Sequence, residues 1–213
     1  MSEFMRPIPF KDLMNWALEE YKNEGSIFGI KKEKFYKNES GKMLKTVFGD
    51  EISSAVGPAA GPQSQLAQNI LASYLAGARF IELKTVQKLD GVDIQKAVAK
   101  PCINSEDECY NCEWSTELTV KEAYNEYVKA YFAIIALAKE LNISDKKDFA
   151  YNMSVGYDLE GIKSEKIDTY IENLRNAKDT EVFKECKLYL EENIDKFSKF
   201  DKKDLEKIST KVL

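Results

Sequence analysis

Apolar residues at Leu13, Met14, Ala17, Leu18 and Tyr21 recur at helical spacing, so the segment from Phe10 to Tyr21 predicts a helix. Met43 to Phe48 reads as a short strand. Gly49-Asp50-Glu51 can turn the chain, because glycine tolerates positive φ, and a second strand runs from Ile52 to about Val56. Pro62 then stands where a helix can begin without losing a useful N–H. Leu66, Ile70, Tyr74 and Leu75 make its apolar stripe, and Gly77 is the stop. Arg79 to Val86 predicts a strand with Phe80, Glu82 and Lys84 on one face and Ile81, Leu83 and Thr85 on the other. Lys88 to Trp114 is long and irregular for a connection. Thr119 with Glu122 forms a capping box ahead of a helix to Asn142, whose apolar face includes Tyr124, Val128, Phe132, Ile135 and Leu137. Phe149 to Val155 predicts a strand with Asn152 and Ser154 on one face. Ser164 starts a helix carrying Ile167, Tyr170, Ile171 and Leu174, another covers Val182 to Phe197, and the charged stretch Ser198 to Leu213 is read as helical.

The order is a hairpin, then strand–helix three times. That alternation implies a parallel sheet with right-handed crossovers. The expected fold class is α/β: a partial β/α barrel contributing its first three strands, preceded by a helical lead-in and a β-hairpin. The lead-in occupies residues 1–45 and the incomplete barrel residues 46–213.

Composition narrows the partners. The 213 residues are 44% hydrophobic and 31% charged with a net charge of −5, as in an ordinary globular protein. No basic stripe argues for nucleic acid. The apolar run Ala130 to Ala138 is far short of the ~20 residues that span a bilayer. The N-terminus lacks the layout of a signal peptide, so a cytoplasmic protein is expected. The chain has no histidine, which excludes histidine triads, metal sites and general bases within it. Its four cysteines, Cys102, Cys109, Cys112 and Cys186, are then read as thiols. Cys109 and Cys112 have C-x-x-C spacing, but no second pair or histidine accompanies them.

In a parallel α/β domain ligands sit at the carboxyl ends of the strands. Three segments qualify: Gly57-Pro58-Ala59-Ala60-Gly61, Lys84 to Val86, and Asn152 to Gly156. The first is poor in side chains and lets a flat ring approach the backbone. Lys84 can set a positive charge beside that ring, and Asn152 and Ser154 offer polar groups on the same side. Each also has a plainer explanation. The glycine-rich run can be a tight turn, Lys84 can pair internally with Glu82, and Asn152 and Ser154 can be satisfied core groups.

These segments resemble the N-terminal part of the dihydroorotate and dihydropyrimidine dehydrogenase-like flavin barrels. More closely, Met5-Arg-Pro-Ile-Pro-Phe10, Ser26-Ile-Phe-Gly29, Val56-Gly-Pro-Ala-Ala-Gly61, Leu66-Ala-Gln-Asn-Ile70, Arg79-Phe-Ile-Glu-Leu-Lys-Thr-Val86, Lys100-Pro-Cys-Ile103, Asn111-Cys-Glu-Trp-Ser-Thr116 and Asn152-Met-Ser-Val-Gly-Tyr157 resemble the selenate reductase subunits of the YgfK type. The likeness runs from Met5 to about Ile171. It implies a TIM-type barrel that binds FMN, or a relic of one. By that resemblance Ala59, Ala60 and Gly61 lie against the flavin, Lys84 with Thr85 stands beside it as the catalytic cation, Asn152 and Ser154 contact the ring, and Asn111 is a substrate contact. FAD, NADPH and iron–sulfur clusters belong to parts that this chain lacks. No metal site is expected. The implied partners are the remainder of the same subunit or other reductase subunits.

The chain departs from the family in length. A closed barrel needs eight strands and typically ~250 residues. The later strands, with the FMN phosphate site and the Cys or Ser general base, have no counterpart. The leading reading is thus an oxidoreductase fragment: the flavin-barrel portion of an NADPH-dependent electron-transfer subunit. The alternative is a non-catalytic scaffold barrel for assembly of a multi-subunit reductase. An aldolase-type barrel with Lys84 as Schiff-base nucleophile is a third reading.

Overall fold

In a computed structural model, which describes residues 5–97, 118–155 and 158–213, the first helix α1 spans Phe10–Glu24. It buries Phe10, Leu13, Met14 and Ala17 and ends at Gly25, whose φ of 65° takes the left-handed turn. An antiparallel hairpin follows, β1 (Ser26–Ile27) with β2 (Ile30–Lys31). The sequence pattern did not foretell it. Its turn residues Phe28 and Gly29 both have positive φ, a geometry that favours Asn-Gly over Phe-Gly. Glu20 makes up the difference by accepting the Phe28 and Gly29 N–H groups at 2.9 and 2.8 Å, and the Phe28 ring packs on Trp16.

The expected second hairpin is present but short: β3 (Leu44–Lys45) with β4 (Glu51–Ile52). Beyond Ile52 the first barrel strand expected to reach Val56 is not a strand. Ser53 donates to the Asp148 carbonyl at 2.9 Å, and the Val56 carbonyl accepts from Arg79 and Phe80 at 2.8 and 3.2 Å. The segment therefore docks on the starts of the two long strands without forming a ladder. Its composition explains this: Gly57 lies against the Phe80 carbonyl, where a Cβ would fall 1.5 Å from the oxygen, and Pro58 has no N–H to donate.

After a 3₁₀ turn at Pro62–Gln65 comes α2 (Ala67–Leu75), then β5 (Phe80–Val86). α3 spans Gly91–Ala97 within the connection read as irregular, and α4 covers Val120–Glu140 with the expected Thr119–Glu122 capping box. β6 (Ala150–Val155) pairs with β5 in parallel, Phe80 opposite Ala150 and Glu82 opposite Asn152. The fold is mixed α/β, with parallel pairing as expected, and its sheets are two-stranded and unclosed among the described residues. Ile81, Leu83 and Val86 are fully buried on the side that packs against the helical core.

Four more helices complete the described chain: α5 (Leu159–Ile162), α6 (Glu165–Arg175), α7 (Glu181–Glu192) and α8 (Lys202–Glu206). α7 stops at Glu192, short of the expected Phe197, and only α8 is helical in the terminal stretch. There Glu140 of α4 accepts the Ser198 and Lys199 N–H groups, while Val212 and Ala177 bond to Leu174 and Thr210 carbonyls. Those distant partners fix the tail on either side of α8. α4 lies at the centre of the helical layer, against α2, α6 and α7, and Phe132 meets Phe10 edge-on at 6.3 Å.

Candidate functional site at the carboxyl ends of the long strands

The strand ends differ from simple alternation at one point. Leu83 faces Met153 and Val86 faces Val155, so Lys84 and Thr85 share the space of one residue, Ser154. This is a β-bulge, a device that bends a strand and re-aims a side chain. Thr85 consequently does not follow Ile81 and Leu83 into the core; it is half-buried, and Val86 takes the core position. Lys84 is buried at 8% exposure. Its carbonyl accepts from the Tyr127 hydroxyl at 2.8 Å, which ties the bulge to α4. Burial drives the Tyr127 phenol far up, so it serves as a permanent donor.

Glu82 and Asn152 are neighbours across the ladder and half-buried, while Ser154 is exposed. All three lie on the face away from Ile81, Leu83 and Tyr151, as the alternation predicted. Ala59 and Ala60 are exposed and Gly61 is half-buried. This run is anchored at both ends. At one end Gly57 touches Phe80. At the other, the Pro62–Gln65 turn packs on β5, with Gln65 accepting the Leu118 N–H at 3.0 Å. The strand pair brings Lys84, Thr85, Asn152 and Ser154 together, while the glycine–alanine run is anchored on β5 at Phe80 and through the Pro62–Gln65 turn. Asn111, with Cys102, Cys109 and Cys112, lies outside the described residues.

The loops at this end hold one another through charges that the sequence reading overlooked. Lys166 pairs with Asp90 at 2.6 Å and donates to the Lys88 carbonyl at 3.1 Å; Lys88 pairs with Asp158 at 3.5 Å. Asp90 also accepts the Val120 N–H at 3.1 Å, capping α4. Asp158 in turn accepts from Gly161 at 2.6 Å, and that bond, together with Lys88, holds its carboxyl below the usual range. Single lysines and aspartates in loops carry no periodic signal, so only the tertiary fold reveals these pairs.

A second polar cluster lies at the amino ends of the strands. The Arg79 guanidinium, 0% exposed, bonds Asp148 at 2.8 Å, Ser53 at 3.0 Å and the Tyr74 and Ala78 carbonyls at 2.7 and 2.9 Å. Asp148 further accepts from Ser53 at 2.6 Å and Tyr74 at 2.8 Å. In β/α folds catalytic residues gather at the other end, and this buried network serves stability. Glu126 of α4, also buried, caps α2 through the Ala67 N–H at 2.8 Å and pairs with Lys129, which donates to the Ile8 carbonyl at 2.6 Å. Desolvation raises the Glu126 carboxyl despite these partners.

No group of potential metal ligands and no helix long and apolar enough to cross a membrane occurs among the described residues. A cation, amide and hydroxyl on one strand pair can bind a flat, electron-rich or anionic ring. Lys84 can stabilise negative charge that develops on it.

Residues 28–213 match the family described as "Oxidoreductase YgfK, N-terminal TIM-barrel domain". Two curated relatives, from Escherichia coli strain K12 and from Escherichia coli O157:H7, both bear the name "Putative oxidoreductase YgfK". Each is 51% identical to the chain over 180 residues, covering 84% of this chain and 17% of the relative. The chain thus matches about a sixth of those relatives' length. No solved structure matches it significantly.

Proposed function

Because the chain belongs to the family of YgfK oxidoreductase N-terminal TIM-barrel domains, we propose that it is the front of a flavin-binding barrel in an oxidoreductase. The observation that carries this reading is the bulge at Lys84 and Thr85, at the carboxyl end of β5, on the strand that the Gly57–Gly61 run follows.

The described residues fit the ring of FMN, though they include no counterpart to its phosphate clamp. Ala59, Ala60 and Gly61 would present bare backbone to the ring face. Lys84, with Thr85 beside it, would favour the anionic reduced form electrostatically. Asn152 and Ser154 would bond the polar ring edge, and Asn111 is kept as a substrate contact. The flavin would supply the step between two-electron and one-electron chemistry. In this proposal FAD, NADPH and iron–sulfur clusters sit in other parts of the longer protein, which acts on an acceptor of the selenate-reductase type. The chain's first partner is then the polypeptide bearing the remaining barrel strands. The alternative is a scaffold barrel that has lost its cofactor and serves assembly.

Absorbance spectra separate the two. The chain is purified with the polypeptide carrying the remaining strands, with and without Lys84→Met. A flavin band near about 450 nm that Lys84→Met weakens or shifts is the expected result. A folded complex with no flavin overturns the proposal and leaves the scaffold.

A further inference from the structure

A cavity of about 300 Å³ opens at the amino end of β6, the opposite end of the strand from Lys84. α4 contributes Tyr131, Ile134 and Ile135, the start of β6 contributes Phe149, and the tail contributes Phe200 and Ile208. The Tyr131 hydroxyl interacts with Ser209 of that tail, and burial pushes it up to about 12. The floor is therefore aromatic and aliphatic, of a size at the lower end of small-ligand pockets.

The rim sets Lys139, Lys146, Lys147 and Lys207 against Asp145, Asp148 and Asp204, and these charges are unequally matched. Lys139 pairs with Asp145 at 2.7 Å and Lys146 with Glu51 at 2.9 Å. Asp148 is taken by Arg79. Lys147 has Asp50 only at 3.9 Å, and its ammonium stands 5.8 and 5.6 Å from the Tyr131 and Phe149 ring centres. A third of the Lys147 side chain reaches solvent, yet burial lowers its ammonium; Asp50 offsets this in part and Lys211 adds to it. A partly desolvated cation thus stands above an apolar floor with its carboxylate partner, Asp50, only at 3.9 Å. An anion with a hydrocarbon body meets both needs.

We propose that this cavity binds a small aromatic carboxylate, its ring among Tyr131, Phe149 and Phe200 and its carboxylate on Lys147. The site lies away from the redox site proposed above and does not rest on that reading. Its ligand is an effector or cargo, not an electron acceptor at the strand mouth.

Indole-3-acetate and its uncharged counterpart indole-3-acetamide are titrated calorimetrically into the chain, with amide NMR shifts to locate binding. The acid is expected to bind at least about tenfold more tightly than the amide, as one charge-assisted hydrogen bond allows, with shifts at residues 144–149 and 207–209. Lys147→Met should remove that preference and leave the amide unchanged. Ile135→Trp, which fills the cavity, should abolish both. Absence of binding at millimolar concentration, equal binding of acid and amide, or an acid affinity indifferent to Lys147→Met would overturn the proposal. If Ile135→Trp fails to fold, the Lys147→Met comparison still decides.

Discussion

Asp148→Ala tests what holds the lower end of the strand pair. The substitution removes an acceptor from Arg79, Ser53 and Tyr74 at once, and Arg79 is 0% exposed. Its guanidinium keeps the Tyr74 and Ala78 carbonyls and the Tyr74 ring at 3.7 Å, but loses its counter-ion. Stranding a buried charge typically costs about 3–5 kcal/mol. Domains have about 5–15 kcal/mol in all. At this chain length about 1 kcal/mol moves Tm by roughly 2–4 °C, so the expected drop is of the order of 10 °C. Urea unfolding gives the free energy and a thermal scan the midpoint. The paired replacement Arg79→Met with Asp148→Leu should recover part of the loss, since neither charge is then stranded. A loss under about 1 kcal/mol for Asp148→Ala, or no recovery in the double variant, would refute the idea that the pair is locked by mutual burial.

Gly57→Ala should destabilise by about 1–3 kcal/mol, because the new Cβ must displace the chain from the Phe80 carbonyl and strain the two hydrogen bonds to Val56. Ala59→Ser, at an exposed position, should stay within about 0.5 kcal/mol in the same thermal assay. Glu126 gives a pH signature. Its folded carboxyl is raised from the ordinary 4.5, so the folded state holds a proton that the unfolded state has released. Stability therefore falls as pH rises through the window just above 4.5, and the cost is complete above the folded value. Glu126→Gln should flatten that slope in urea titrations between the two limits, whatever it does to absolute stability. A slope that persists in the variant must come from other groups.

Periodicity alone disclosed α1, α2, α4, α6 and α7 and the two long strands, because each buries a regular stripe or face. The Thr119–Glu122 cap and the glycine-rich run were legible for the same reason: a local rule demands those residues at that spacing. The family resemblance likewise sits in contiguous motifs, so the sequence suffices for it. Other features depend on groups far apart in the chain. Glu20 made Phe28-Gly29 a hairpin turn, and Glu140 held Ser198 to Phe200 in a bend where the composition suggested a helix. The strand expected through Val56 gave way because its glycine and proline suit close docking better than a ladder. The bulge at Lys84 arises from pairing with Ser154, seventy residues on, and it reassigns Thr85 and Val86 between the two faces. Arg79 with Asp148, and Lys147 above Tyr131 and Phe149, exist only once the strands and helices meet. Local pattern encodes which side of an element is apolar. Which charges meet, and where a strand slips by a residue, is settled by the packing of distant segments, where burying a polar group requires a partner.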